Sequence, residues 1–114
     1  MMKSIDQQIE NLQQELRRGV ITLATLSQLS DPQYGYSLVT TLKEKGLSVE
    51  AGTLYPLLRR LEKQGLLKSE WDTTETRPRK YYYLSDIGKV VLTLLRDEWE
   101  QIVRSLDSLM KGEE

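Results

Sequence analysis

A seam of apolar residues near the end of the chain, Ile87, Val91, Leu94, Leu95, Trp99, Ile102, Leu106 and Leu109, restricts the fold more than any other feature. Its spacing is that of a helix whose apolar stripe repeats over roughly three heptads. Ser85 can cap the start, and the pattern runs to about Met110. The chain has 114 residues, enough for one domain. A helix this long projecting from so small a domain exposes more apolar surface than a monomer usually tolerates. It therefore predicts a second copy of the chain packed along Leu95, Trp99, Ile102, Leu106 and Leu109. The competing arrangement folds the helix back on the chain's own first helix.

Upstream, Ile5, Ile9, Leu12 and Leu16 form a narrow amphipathic stripe, which either caps the domain or meets a partner. The denser pattern of "RRGVITLATLSQLS" predicts a separate buried helix, broken at Ser30, Asp31 and Pro32. A short helix from about Tyr34 to Lys45 follows, with Leu38, Val39 and Leu42 inward and Gly46 as its stop. In "LSVEAGTLYPLLRRLEKQGLL" Ser48 can cap a third helix and Gly65 can end it, while Pro56 implies a start near Thr53 or a bend. "LLKSEW" and "PRKYYYLS" flank the polar "DTTETR" and read as a two-stranded hairpin. The fold class expected is thus mainly α with a small β-hairpin. It comprises a winged helix-turn-helix domain over residues 1–84 with an N-terminal helical extension, then a long C-terminal dimerisation helix over 85–114. The tail "KGEE" is expected to fray.

The sequence has no Cys and no His. Thiolate nucleophiles, disulfides and zinc sites built on nitrogen and sulfur are excluded, and no paired-carboxylate or Ser-Lys motif stands in their place. No enzymatic activity, cofactor or metal is expected. The apolar runs fall far short of the roughly 18 residues of a membrane span, and "MMKSIDQQIE" is not a signal peptide, so a cytoplasmic protein is expected.

On a wheel of 100° per residue the third helix has two faces. Ala51, Leu54, Leu57, Leu58 and Leu61 gather on the side that must pack, and Gly52, Pro56, Arg59 and Lys63 gather opposite. Thr53 and Arg60 border that outer face on one edge, Tyr55 and Glu62 on the other. Gly52 and Pro56 cost about 1 and up to about 3 kcal/mol relative to alanine inside a helix, yet they leave the face flat and close to its backbone. Such a face suits a base edge or a phosphate, with hydroxyls from Thr53 and Tyr55 and a guanine-binding fork from Arg59. A fold-specific bend with ordinary surface charges is the alternative. In the hairpin Arg77, Arg79 and Lys80 can contact phosphates or can simply protect an edge strand.

Net charge is −1 and the pI about 5.6, so bulk charge does not announce a nucleic-acid partner. Its distribution is uneven. Between residues 49 and 80 the basic groups Arg59, Arg60, Lys63, Lys68, Arg77, Arg79 and Lys80 outnumber Glu50, Glu62, Glu70, Asp72 and Glu75. The terminal helix carries most of the excess acid. A winged-helix protein-interaction module without DNA binding therefore stands beside the DNA-binding reading.

Taken in order, "LRRGVITLATLSQL", "YGYSLV", "GTLYPLLRRLEKQGLL" and "RPRKYYYLSDIGK" resemble the PadR-like transcriptional regulators over nearly the whole chain. The resemblance implies a winged helix-turn-helix repressor of the short subgroup, acting as a homodimer on a palindromic operator in double-stranded DNA. It implies DNA contacts by Thr53, Tyr55, Pro56 and Arg59, and phosphate contacts by Tyr36, Lys63, Arg77, Arg79 and Lys80. It also implies a small hydrophobic or aromatic effector near the dimer interface, where Trp99 can stack on it or simply pack. The family's usual Gly before "RPRK" is Thr76 here, which implies a less sharp wing turn.

Overall fold

A computed structural model describes residues 2–112, with side chains from Ser4 onward. The elements are α1 (Met2–Ser27), β1 (Gln33–Tyr34), α2 (Gly35–Glu44), α3 (Ala51–Lys63), β2 (Leu67–Asp72), β3 (Arg79–Leu84) and α4 (Asp86–Lys111). The strands form one antiparallel sheet in the order β1-β3-β2. This is the winged-helix fold expected from the sequence, with a third strand beyond the expected hairpin.

The two apolar patterns expected as separate helices are one. Leu16, Val20 and Leu23 continue the stripe begun at Ile5, so α1 runs unbroken for 26 residues. Gly19 costs about 1 kcal/mol relative to alanine, too little to divide a helix of that length. The short helix also starts later than expected. Tyr34 is extended (φ −70°, ψ 149°) and pairs with Tyr81 in the sheet before Gly35 opens α2.

The third helix starts at Ala51 on an extended Glu50, with no side-chain cap, so Ser48 does not cap it. Pro56 is its sixth residue and lies past the first turn, where it removes the hydrogen bond to the Gly52 carbonyl at about 3 kcal/mol. Four leucines outweigh that cost: Leu54, Leu57, Leu58 and Leu61 are all buried, each worth about 2 kcal/mol. Ala51, expected among them, is exposed because the helix has only just begun there. At the far end Gly65 takes a left-handed φ of 84°. Its N–H bonds to the Glu62 carbonyl and that of Leu66 to the Leu61 carbonyl, a Schellman closure; Gly46 ends α2 in the same way.

Leu26 and Leu29 meet Leu38, Leu42, Val49 and the α3 leucines in one core, closed by Leu67, Tyr82, Leu84 and Leu92. Backbone bonds stitch its end: Leu84 N–H donates to the Leu29 carbonyl, and Ser85 N–H to that of Leu66. Ser85 caps α4 as expected, accepting from the Gly88 N–H at 2.9 Å while donating to the Gly65 carbonyl. Gly88 and Leu92 are buried, so the first two turns of α4 belong to this core. Lys111 closes α4 and Gly112 follows in a left-handed conformation; the remaining tail residues expected to fray, Glu113 and Glu114, lie outside the described residues.

Beyond Leu92 the helix leaves the core. Each 26-residue helix is about 39 Å long, and the radius of gyration is 17.0 Å against about 13 Å for a compact chain of this size. Leu95, Trp99, Ile102 and Leu106 lie beside Leu16, Val20 and Leu23 of α1 around a cleft of ≈330 Å³. They stay 37–41% exposed, and Leu109, Leu12 and Leu16 are more so. Folding back on α1 thus covers only part of the seam. Among the described residues no helix is long and apolar enough to cross a membrane.

Candidate nucleic-acid interface

Strand alternation sorts the wing into two faces. Lys68, Glu70 and Asp72 of β2 stand with Tyr83, Tyr81 and Arg79 of β3 on the outer face; Leu67, Ser69 and Trp71 stand with Leu84, Tyr82 and Lys80 on the face toward α3. The first pairs of that inner face are core. Its last pair, Trp71 and Lys80, overhangs the core and faces the exposed side of α3.

Tyr36, Tyr55, Arg59, Arg79 and Lys80 meet around one cleft of ≈410 Å³, with Tyr34, Trp71 and Tyr82 also in its wall. Lys63 lies on the adjoining surface with Arg59, Arg60 and Lys80. Thr53 and Pro56 sit on the opposite flank of α3, beside Arg18 and Arg60. Arg77 is exposed in the loop between β2 and β3 and lines none of these clefts. The wheel's two borders are therefore real borders, one toward the wing and one toward α1.

Two groups that the sequence pattern does not single out hold this geometry. Glu62 accepts from the Ser69 hydroxyl and pairs with Lys80 at 3.7 Å, tying the wing to α3. Tyr34 donates its hydroxyl to Asp72, reaching across β3 from one edge strand to the other. That bond, with those from the Thr74 hydroxyl and N–H, pulls the Asp72 carboxyl down to about 2. The acceptor stays ionised through the neutral range, and the Tyr34 hydroxyl is pushed above its ordinary value mainly by the same bond. Glu70 is likewise lowered, by the Tyr83 and then the Tyr81 hydroxyl.

The basic groups differ in what already holds them. Arg79 lies over the Tyr34 ring, 4.1 Å from its centroid, and pairs with Glu75 at 3.6 Å. Exposed pairs of this kind contribute only about 0–1 kcal/mol, so a phosphate can replace the carboxylate at little cost. Among the described residues Arg59, Lys63 and Arg77 have no carboxylate within ion-pair distance. Trp71 is 62% exposed, an apolar plane on a basic surface. Strand alternation places it on the inner face; only the tertiary overhang makes that position part of the cleft. Gly35 makes room for Tyr55, because a Cβ at that position would lie 2.4 Å from the tyrosine ring.

Comparison with known proteins agrees with the winged-helix fold. Residues 22–94 match the family described as "Transcriptional regulator PadR-like family". The chain belongs to that family. Among curated proteins it is similar to transcriptional regulator Rv3488 of Mycobacterium tuberculosis, 36% identical over 93 residues, which span 81% of this chain and 87% of the relative. Among solved structures, a PadR family transcriptional regulator from Eggerthella lenta is 43% identical with a TM-score of 0.88, over 97% of this chain and 99% of the other. A PadR-like transcriptional regulator from Bacillus cereus is 30% identical with a TM-score of 0.77, over 87% and 99%. In this PadR-like regulator the matched stretch holds α2, α3, the wing and the core end of α4.

The residue expected to meet an effector lies elsewhere. Trp99, 40% exposed, lines the apolar cleft between α1 and α4. Among the described residues no group of three or more acidic side chains could hold a metal ion.

Proposed function

We propose that this PadR-like regulator is a cytoplasmic repressor that binds a palindromic operator in double-stranded DNA as a homodimer. The observation that carries the reading is the single basic and aromatic cleft formed by Tyr36, Tyr55, Arg59, Arg79 and Lys80 beside an exposed helix face that holds Gly52 and Pro56. Residues 1–84 bind DNA and residues 85–114 dimerise. With α3 in the major groove, Arg59 and the hydroxyls of Thr53 and Tyr55 reach base edges, and Pro56 lets the backbone approach closely. Tyr36, Lys63, Arg77, Arg79 and Lys80 hold phosphates. Bound across a promoter, the dimer blocks it, with no catalysis and no cofactor.

Arg79→Ala is expected to weaken binding to a palindromic duplex from beside the protein's own gene. The plot of log affinity against log salt should flatten by about 0.9 for each phosphate that is no longer neutralised. Salt-independent binding by the unaltered protein, or a variant with an unchanged slope, would count against the assignment.

Control by a small hydrophobic or aromatic effector fits the ≈330 Å³ apolar cleft at Trp99, a volume within the range of small-molecule sites. An effector there would favour a dimer whose half-site spacing no longer matches the operator. Titrating planar aromatic compounds should quench tryptophan emission, and Trp99→Phe should abolish the change. Quenching that survives the substitution would move the site to Trp71 or elsewhere.

A further inference from the structure

A helix lying in the major groove has a phosphate strand on each flank, the groove being about 12 Å wide. Beside one flank of α3 stands the wing, with Arg79 and Lys80. Of the cations beside the other flank, two come from α1 and one from α3 itself. Arg18 of α1 and Arg60 of α3 line one cleft with Thr53 and Pro56. Arg17 and Arg18 line the next, where the chain enters α3. Arg17 donates to the Ser48 carbonyl, which ties this turn of α1 to the segment leading into α3.

All three arginines are exposed. Among the described residues none has a carboxylate within ion-pair distance, and Glu50 is the one acidic residue on either cleft. Three guanidinium groups concentrated against one carboxylate, in a chain of net charge −1, make a local anion-attracting surface. Thr53 and Pro56, the expected groove contacts, fix its position relative to DNA, because they stand in the same cleft as Arg18 and Arg60. A guanidinium fork also matches two phosphate oxygens at once.

We propose that Arg17, Arg18 and Arg60 form a second phosphate rim, which seats the DNA backbone on the flank of α3 opposite the wing. The rim rests on the DNA-binding reading and adds α1 to the interface. It makes sequence-independent contacts, so it sets affinity and the placement of α3 rather than base preference.

Its test is the binding of a labelled duplex of arbitrary sequence across a salt series. Arg17→Gln with Arg18→Gln should flatten the dependence of log affinity on log salt by about 0.9 for each phosphate left without its arginine. The Lys counterparts should keep the slope. Arg18→Gln alone, which leaves the bond from Arg17 to Ser48 in place, should flatten it by a smaller step at an unchanged melting temperature. A double variant with the unaltered protein's slope, while Arg79→Ala flattens it, would overturn the rim and leave the DNA-binding reading standing. No salt-dependent binding by the unaltered protein would overturn both.

Discussion

Ile102→Glu is expected to reduce the mass in solution from that of two chains to the 13.2 kDa of one, with helical content unchanged. Ile102 is 39% exposed in the protomer, beside Trp99 and Leu106 on the α4 seam. In one copy alone a carboxylate there stays wet and costs the fold little. In the proposed dimer it leaves water, and twofold symmetry brings two such groups to one interface. An unpaired carboxylate buried in this way costs several kcal/mol, enough to move association by orders of magnitude, since each 1.4 kcal/mol is tenfold. Operator affinity should fall with the mass, because each protomer then holds a single half-site. Multi-angle light scattering and circular dichroism are sufficient measurements. An unaltered mass for the variant, or a monomeric unaltered protein, would rule out the proposed dimer.

What the sequence made legible were features decided by residues close together in the chain. Ser85 bonds a backbone group three residues on, and Gly65 closes a helix with bonds that span one turn. The borders of α3 follow from its 100° step, which separates Tyr55 and Arg59 from Thr53 and Arg60 before any neighbour is known. Features set by distant pairing were hidden. Strand β1 is two residues long and exists because Gln33 and Tyr34 find Tyr82 and Tyr81; no period can show in so short a run. Glu62 reads as a helix-surface acid until the wing brings Ser69 and Lys80 to it. Arg79 and Lys80 read as phosphate contacts or edge protection, with no sign that Glu75, Tyr34 and Glu62 already engage them. The change of density at Arg17 in α1 suggested a boundary, but it marks where the helix passes from a bare stripe to the core.

Gly88→Ala should destabilise the fold by about 3 kcal/mol, the upper range for an overpacked position, and lower the melting temperature by roughly 10–20 °C. A Cβ at Gly88 would lie 2.1 Å from the Leu66 carbonyl oxygen and 3.2 Å from a Leu84 methyl. The methyl can rotate away; the carbonyl cannot. It accepts the Ser85 N–H at 3.0 Å, and Leu66 is held from behind by its own N–H bond to the Leu61 carbonyl. Ser85 in turn caps α4 and bonds the Gly65 carbonyl. Relief therefore requires α4 to move away from the end of α3, which opens the core at Leu84 and Leu92. Gly19→Ala is the matched comparison, because a Cβ there has nothing within 4 Å and the site is mid-helix. It should raise stability by up to about 1 kcal/mol. The two variants, melted at equal protein concentration so that association does not bias the comparison, should move in opposite directions. If Gly88→Ala melts with the unaltered protein, α4 does not pack against Leu66 as closely as described, and α3 and α4 are not rigidly linked.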